Sequence, residues 1–166
     1  TDVYGFANIE GQDLAVIQVR QCRWKSSWQF KSVRKDYYLI GRNENGNVFA
    51  HPIESPLRNK KALATNEGTV LLALSKIWQC EVDDIKLIRR NGDVAFIPCT
   101  LKEFNNATKE QVEVIVIDES HQLKPIRNGK IFTGMDCFYV KGSAKLEHLK
   151  EQHPKAAVES GLWRVQ

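Results

Sequence analysis

The chain has 166 residues, 42% of them hydrophobic and 27% charged, the balance of an ordinary globular protein with one domain or two small ones. No apolar run approaches the roughly 18 residues that a membrane-crossing helix needs, and no basic start leads into an apolar segment, so neither a span nor a signal peptide is expected. The net charge of +4 is concentrated: positions 18–35 hold six Lys or Arg and no acid, and the remainder carries 18 basic against 20 acidic residues.

Residues 14–19 are apolar and β-branched and read as a strand. Cys22, Trp24, Trp28 and Phe30 then alternate with Arg23, Lys25, Gln29 and Lys31, the period of two strands joined by a turn at Ser26-Ser27. The apolar phase shifts between Val19 and Cys22, which places a bulge near Arg20. Asn45-Gly46 supplies the positive φ angles of a tight hairpin between strands at 37–40 and 48–50. Pro52 and Pro56 end that hairpin, and residues 57–66 read as a loop with a basic tip at 58–61.

Thr65 or Asn66 opens the main helix, whose apolar face is Val70, Leu71, Leu74, Ile77 and Trp78 and whose end falls near Cys80. The second half returns to β at 85–88, turns at Asn91-Gly92 and runs back through 94–97 to Pro98. A short helix within 102–111, strands at 113–117, 130–132, 137–140 and 162–165, and a turn at Asn128-Gly129 follow. Gly142-Ser143 can cap a short helix from Ala144 to about Gln152. The expected fold is α+β: strand-rich antiparallel sheets with hairpins and one main helix. A seam near Asp83-Asp84 would divide a β-meander with helix (1–84) from a β-rich module (85–166), with one compact domain as the alternative.

The four cysteines, at 22, 80, 99 and 137, form no C-x-x-C pair and read as reduced, mostly buried thiols of a cytoplasmic protein. Phosphate-wrapping loops, dinucleotide fingerprints, nucleophile elbows and zincin helices are all missing from the sequence. The adjacent acids Asp83-Asp84 and Asp118-Glu119 read as solvated loop residues. Three histidines in the last third, His121, His148 and His153, are the candidates for chemistry. If they converge, neutral imidazoles could hold a metal, or two of them could act as acid and base on a phosphodiester with Lys145 or Lys150 stabilising charge. A metal is thus an option, and the sequence names no cofactor.

The segment Arg90 to Pro98 resembles the opening strand of a group of small bacterial and phage proteins. There a Q-G-D-V-L-L-[IV]-P strand is followed by G-E-x-x-G-H-x-H-x-[LI], L-x-H-x-E-H-x-P-I and G-x-Y-x-V segments. Residues 118–123 resemble the second segment with one histidine instead of two. Leu146-Glu147-His148 and His153-Pro154 resemble the third with two extra residues between the histidines, and residues 161–165 resemble the last with Trp163 in the aromatic place. The likeness covers residues 86–166. It implies extended chain at 144–152 and convergence of the three histidines, and it brings no activity.

The basic stretch has two readings. In one, Arg20, Arg23, Lys25, Lys31, Arg34 and Lys35 line one face of a β-ribbon that binds phosphates, with little sequence preference. In the other they are only the solvated face of strands whose aromatics point inward as core. The leading expectation is a nucleic-acid-binding protein, favouring RNA or single strands. The alternatives are a histidine-site phosphodiesterase or metal-binding enzyme, and a subunit that presents the basic face to an acidic protein partner.

Overall fold

The computed structural model describes residues 1–27, 29–43, 46–55, 65–150 and 154–166, without the side chains of Phe30 and Lys31. Trp28, Asn45, the basic tip at 58–61 and His153 lie outside the described residues. The fold is strand-rich α+β with antiparallel sheets and one main helix. The chain divides into two compact units, Thr1–Val82 and Asp83–Gln166.

The first unit is a four-stranded meander in the order β1-β2-β3-β4: β1 Asp2–Ile9, β2 Gln12–Ser26, β3 Gln29–Arg42 and β4 Val48–Ile53. Strand β1 falls in a stretch for which the sequence reading offers no element. It joins β2 through Glu10 and Gly11, both at positive φ, and Asn8 accepts the Gly11 amide through its side-chain oxygen at 3.0 Å. Strand β2 runs unbroken past Arg20, and its irregularities lie between Arg23 and Ser26, so the expected bulge sits further along. The neighbour strands explain the continuity. Pairing with β3 proceeds residue for residue from Leu14 to Arg23 and leaves no unmatched position near Arg20.

Helix α1, Asn66–Trp78, is capped by Thr65, whose hydroxyl accepts the Gly68 amide at 2.9 Å, and it ends on Gln79 in the left-handed conformation. It packs on the sheet face that carries Gly5, Leu14, Val16 and Leu39. Small residues set that contact. Thr69, Val70 and Ala73 are buried, whereas Leu71, Leu74, Ile77 and Trp78 are half-buried. A Cβ on Gly5 would lie 2.7 Å from the Asn66 carbonyl oxygen and 2.8 Å from the Thr69 Cβ, so glycine is what lets the helix start approach the strand.

The second unit is a two-sheet sandwich. Of residues 85–88, expected as strand, 85–87 belong instead to a 3₁₀ turn, Val82–Leu87, and Ile88 follows it; Asp83 and Asp84 lie in its first turn, where acids suit the exposed amides. The larger sheet has the order β5-β6-β14-β11-β10-β7 and the smaller β13-β12-β9-β8. In the larger sheet β5 is Arg89–Asn91, β6 Val94–Pro98, β7 Gln111–Val112, β10 Lys130–Thr133, β11 Phe138–Lys141 and β14 Leu162–Val165. In the smaller, β8 is Ile115–Ile117, β9 His121–Pro125, β12 Ala144–His148 and β13 Ala156–Val158. The run 113–117, expected as one strand, is broken: only 115–117 is strand, as β8 of the smaller sheet, and Glu113 and Val114 connect it to β7 of the larger one. Between the sheets lies one core that includes Phe96, Ile131, Val140, Leu123, Leu146 and Val165. Helix α2, Leu101–Ala107, sets Phe104 edge-on against Phe132 and Tyr139, with ring centroids 5.2 and 6.1 Å apart. Residues 144–148 form a strand, so the helical alternative is set aside and the extended one holds.

No helix among the described residues is long and apolar enough to cross a membrane. All four cysteines are free. Against the expectation of burial, Cys22 is exposed and the other three are half-buried. Burial pushes the Cys99 thiol up to about 12, with Glu103 adding to the rise.

Candidate functional site

The basic stretch forms the outer part of the β2–β3 hairpin. Strand β1 pairs with β2 only as far as Gln18, and β4 pairs with β3 only from Tyr37. Beyond that point β2 and β3 pair, among the described residues, only with each other, as a two-stranded ribbon. From Val19 to Ser26 it extends roughly 25 Å at ~3.3 Å per residue. Every described side chain from Arg20 to Ser27 and from Ser32 to Lys35 is exposed. Both faces of the ribbon therefore meet solvent.

This corrects two expectations. Trp24 is 61% exposed and does not point into a core, because among the described residues no third strand or helix covers the ribbon. Nor do the cations share one face. Directly paired residues lie on the same side of a sheet. Arg20 pairs with Lys35, Cys22 with Val33, and these continue the helix-covered face; Arg34 pairs with Gln21, and Arg23 with Ser32, on the opposite face. Lys25 lies in the irregular tip, and the Lys31 side chain is outside the described residues.

Two of the cations already hold carboxylates. Arg20 is bridged to Asp2, and the Arg34 Nε donates to Asp36 at 2.9 Å. Arg23, Lys25 and Lys35 have no ion-pair partner among the described residues.

The root of the ribbon is tied by a buried polar knot that the sequence reading missed. Gln18 is fully buried; its Nε2 donates to the Tyr4 hydroxyl at 3.0 Å and the Tyr37 hydroxyl at 2.6 Å, and its Oε1 accepts from the Arg20 Nε at 2.8 Å. Burial, reinforced by Tyr37, raises the Tyr4 phenol. A glutamine inside an alternating apolar run, with tyrosines in β1 and β3, was the available signal.

In the second unit the structure brings two of the three histidines together. His148, the last residue of β12, pairs directly with His121, the first of β9. The rings meet edge to face with centroids 4.8 Å apart. His148 Nδ1 accepts the Lys150 amide at 3.0 Å, which puts a neutral ring's proton on Nε2. His121 Nδ1 shares a hydrogen bond with the Ser120 hydroxyl at 2.9 Å, and its Nε2 lies 3.9 Å from an Asp93 carboxylate oxygen. The alternation of the two strands turns both rings to the core side, next to Leu123 and Leu146, leaving His121 2% and His148 8% exposed. His51 lies in the other unit on β4, exposed. Among the described residues no three His, Cys, Asp or Glu are grouped as a metal site would require.

A second charged cluster, also missed, lies on the outer face of the smaller sheet. Glu147 receives Lys155 at 3.0 Å, Lys145 at 3.2 Å and Lys124 at 3.5 Å. Hydrogen bonds from Lys155 and Lys145 pull its carboxyl down to about 2. Alternation around His148 places these residues opposite the core, a pattern legible in Lys-Leu-Glu-His once 144–148 is read as strand.

No protein-family model matches the chain, and comparison with curated proteins and with solved structures yields no match either.

Proposed function

We propose that the chain binds nucleic acid through the basic ribbon, with RNA or single strands as the preferred form. The observation that carries this reading is exposure: in a stretch of six cations and no acid, the five cations whose side chains are described all stand in solvent, and they divide between both faces. A solvated outer face of a core strand would expose one side only. Arg23, Lys25 and Lys35 supply phosphate contacts that need not displace an existing ion pair. Trp24 offers an exposed ring on which an unpaired base can stack, an interaction of roughly 1–3 kcal/mol per base.

The test is binding of a labelled single-stranded RNA to the Arg23→Glu, Lys35→Glu double variant. The reading predicts weakening of at least ~100-fold at low salt, and Trp24→Ala weakening of about tenfold on single strands with little change on duplex. Unchanged affinity in both would sink it, and capture of an acidic protein with no nucleic acid would favour the subunit reading.

A second reading rests on the 4.8 Å approach of His121 and His148, the separation that acid–base or metal chemistry needs. Against it stands their burial, which keeps a phosphodiester from reaching either ring without opening the sheet edge. Loss of a cleavage activity or of metal uptake in His148→Ala, with the fold retained, supports it. Destabilisation alone assigns the pair to the core.

A further inference from the structure

The helix covers one face of the first unit's sheet, and among the described residues no element of that unit lies over the other face. Two complete rows cross it from edge to edge. One is Val3, Ile17, Tyr38 and Pro52; the next is Phe6, Ala15, Ile40 and Ala50. No member of either row is charged. Val3, Phe6 and, one row beyond, Val48 are 65%, 61% and 71% exposed. Apolar surface of this extent and continuity marks an interface.

We propose that this face docks a second copy of the chain, sheet against sheet, about a two-fold axis running along the strands between β2 and β3. That operation lays β1 over the copy's β4 and β2 over the copy's β3 without shifting the rows. Each row then meets itself reversed. Phe6 falls opposite Ala50, Ile40 opposite Ala15, Ile17 opposite Tyr38 and Val3 opposite Pro52. In the central row a large side chain faces a small one at every position, the arrangement by which layers interdigitate.

The charged residues at the edge of the apolar band agree with the same axis. Asp13 on β2 and Arg42 on β3 stand one row beyond Phe6, on the same face, so each acid meets the copy's guanidinium. At the ribbon end Arg34 faces the copy's Gln21 and Arg23 faces Ser32, so no cation is set against a cation. A nucleic acid is a poorer occupant. The two rows hold no cation for its phosphates, and aliphatic side chains outnumber the two rings. The area suits a weak dimer: four strands ~4.8 Å apart and three rows of side chains give a footprint of roughly 20 by 20 Å, about 400 Å² per copy. That is below the ~800 Å² per partner of a standard interface, which places the association in the micromolar range. Both ribbons then leave the dimer at the same end.

The experiment is sedimentation of the whole chain from about 1 to 100 µM, alongside Phe6→Glu and Ala50→Phe, with circular dichroism melts of each. The wild type, 19.0 kDa as a protomer, should associate to a particle of twice that mass. Phe6→Glu should raise the dissociation constant at least ~100-fold, and Ala50→Phe, which crowds the copy's Phe6, at least ~10-fold. Both residues are exposed in the protomer, so at a concentration where the wild type is monomeric both variants should melt as it does. A monomer throughout the range, or a dimer indifferent to both substitutions, overturns the proposal.

Discussion

Replacing Gln18 with leucine tests whether the polar knot holds the ribbon root. The substitution conserves bulk but removes two donated hydrogen bonds and one accepted one. Tyr4 is half-buried and Arg20 exposed, so both can turn to water. Tyr37 is buried and its hydroxyl loses the shortest of the three bonds, at 2.6 Å. One buried group left short of a partner costs about 1–3 kcal/mol, and leucine returns part of this through apolar burial. A net loss of roughly 1–2 kcal/mol follows. For a unit of this size it lowers the melting temperature by about 4–16 °C. Hydrogen exchange on the whole protein separates this from a global effect: amides of 16–20 and 35–39 should lose protection first, while those of the second unit keep theirs. A melting point within 2 °C of wild type, with unchanged exchange at the root, would refute the reasoning.

Gly5→Ala drives a methyl against the Asn66 carbonyl and Thr69. It should cost about 1–3 kcal/mol in urea unfolding of the first unit, whereas alanine at Gly11, where a Cβ meets nothing, should act only through its positive φ. Glu147 has a folded-state carboxyl near 2, below its ordinary value of 4.5, so its ion pairs stabilise the second unit above about pH 4.5 and are lost as pH falls towards 2. Melts of wild type and Glu147→Gln should differ most at pH 6, and the gap should shrink steadily below pH 4.5 and close as pH falls through about 2. A gap that stays constant over that window contradicts the assignment.

Much of the fold was legible because its signals are local. Thr65 as a cap, Gly46 and Gly92 at positive φ and Pro98 at the end of β6 each act within a few residues of themselves, whereas Pro52, expected to end its hairpin, sits inside β4 paired with Tyr38. The errors came where partners decide. Alternation of Trp24 with Arg23 and Lys25 is the period of a strand, but it does not say whether anything lies over either face. Here no described strand or helix does, because β1 and β4 stop at the ribbon root. The split of 113–117 likewise depends on which strands offer free edges, a property of the whole sandwich. Of the candidate site residues, the pairing of His121 with His148 followed from reading 144–148 as strand, which sequence spacing alone left open. The uncovered face of the first sheet stayed hidden for a simpler reason: two of its exposed apolar residues, Val3 and Phe6, belong to a strand that the sequence reading passed over.

The most direct measurement of the central proposal is the affinity of the chain for a single-stranded RNA as a function of salt between about 50 and 200 mM. Three available cations on single strands give a slope of log affinity against log salt near −2, at ~0.7 per phosphate neutralised. The account predicts that slope, and a shallower one in the Arg23→Glu, Lys35→Glu variant. Binding that ignores salt, or a slope that the variant leaves unchanged, would contradict it.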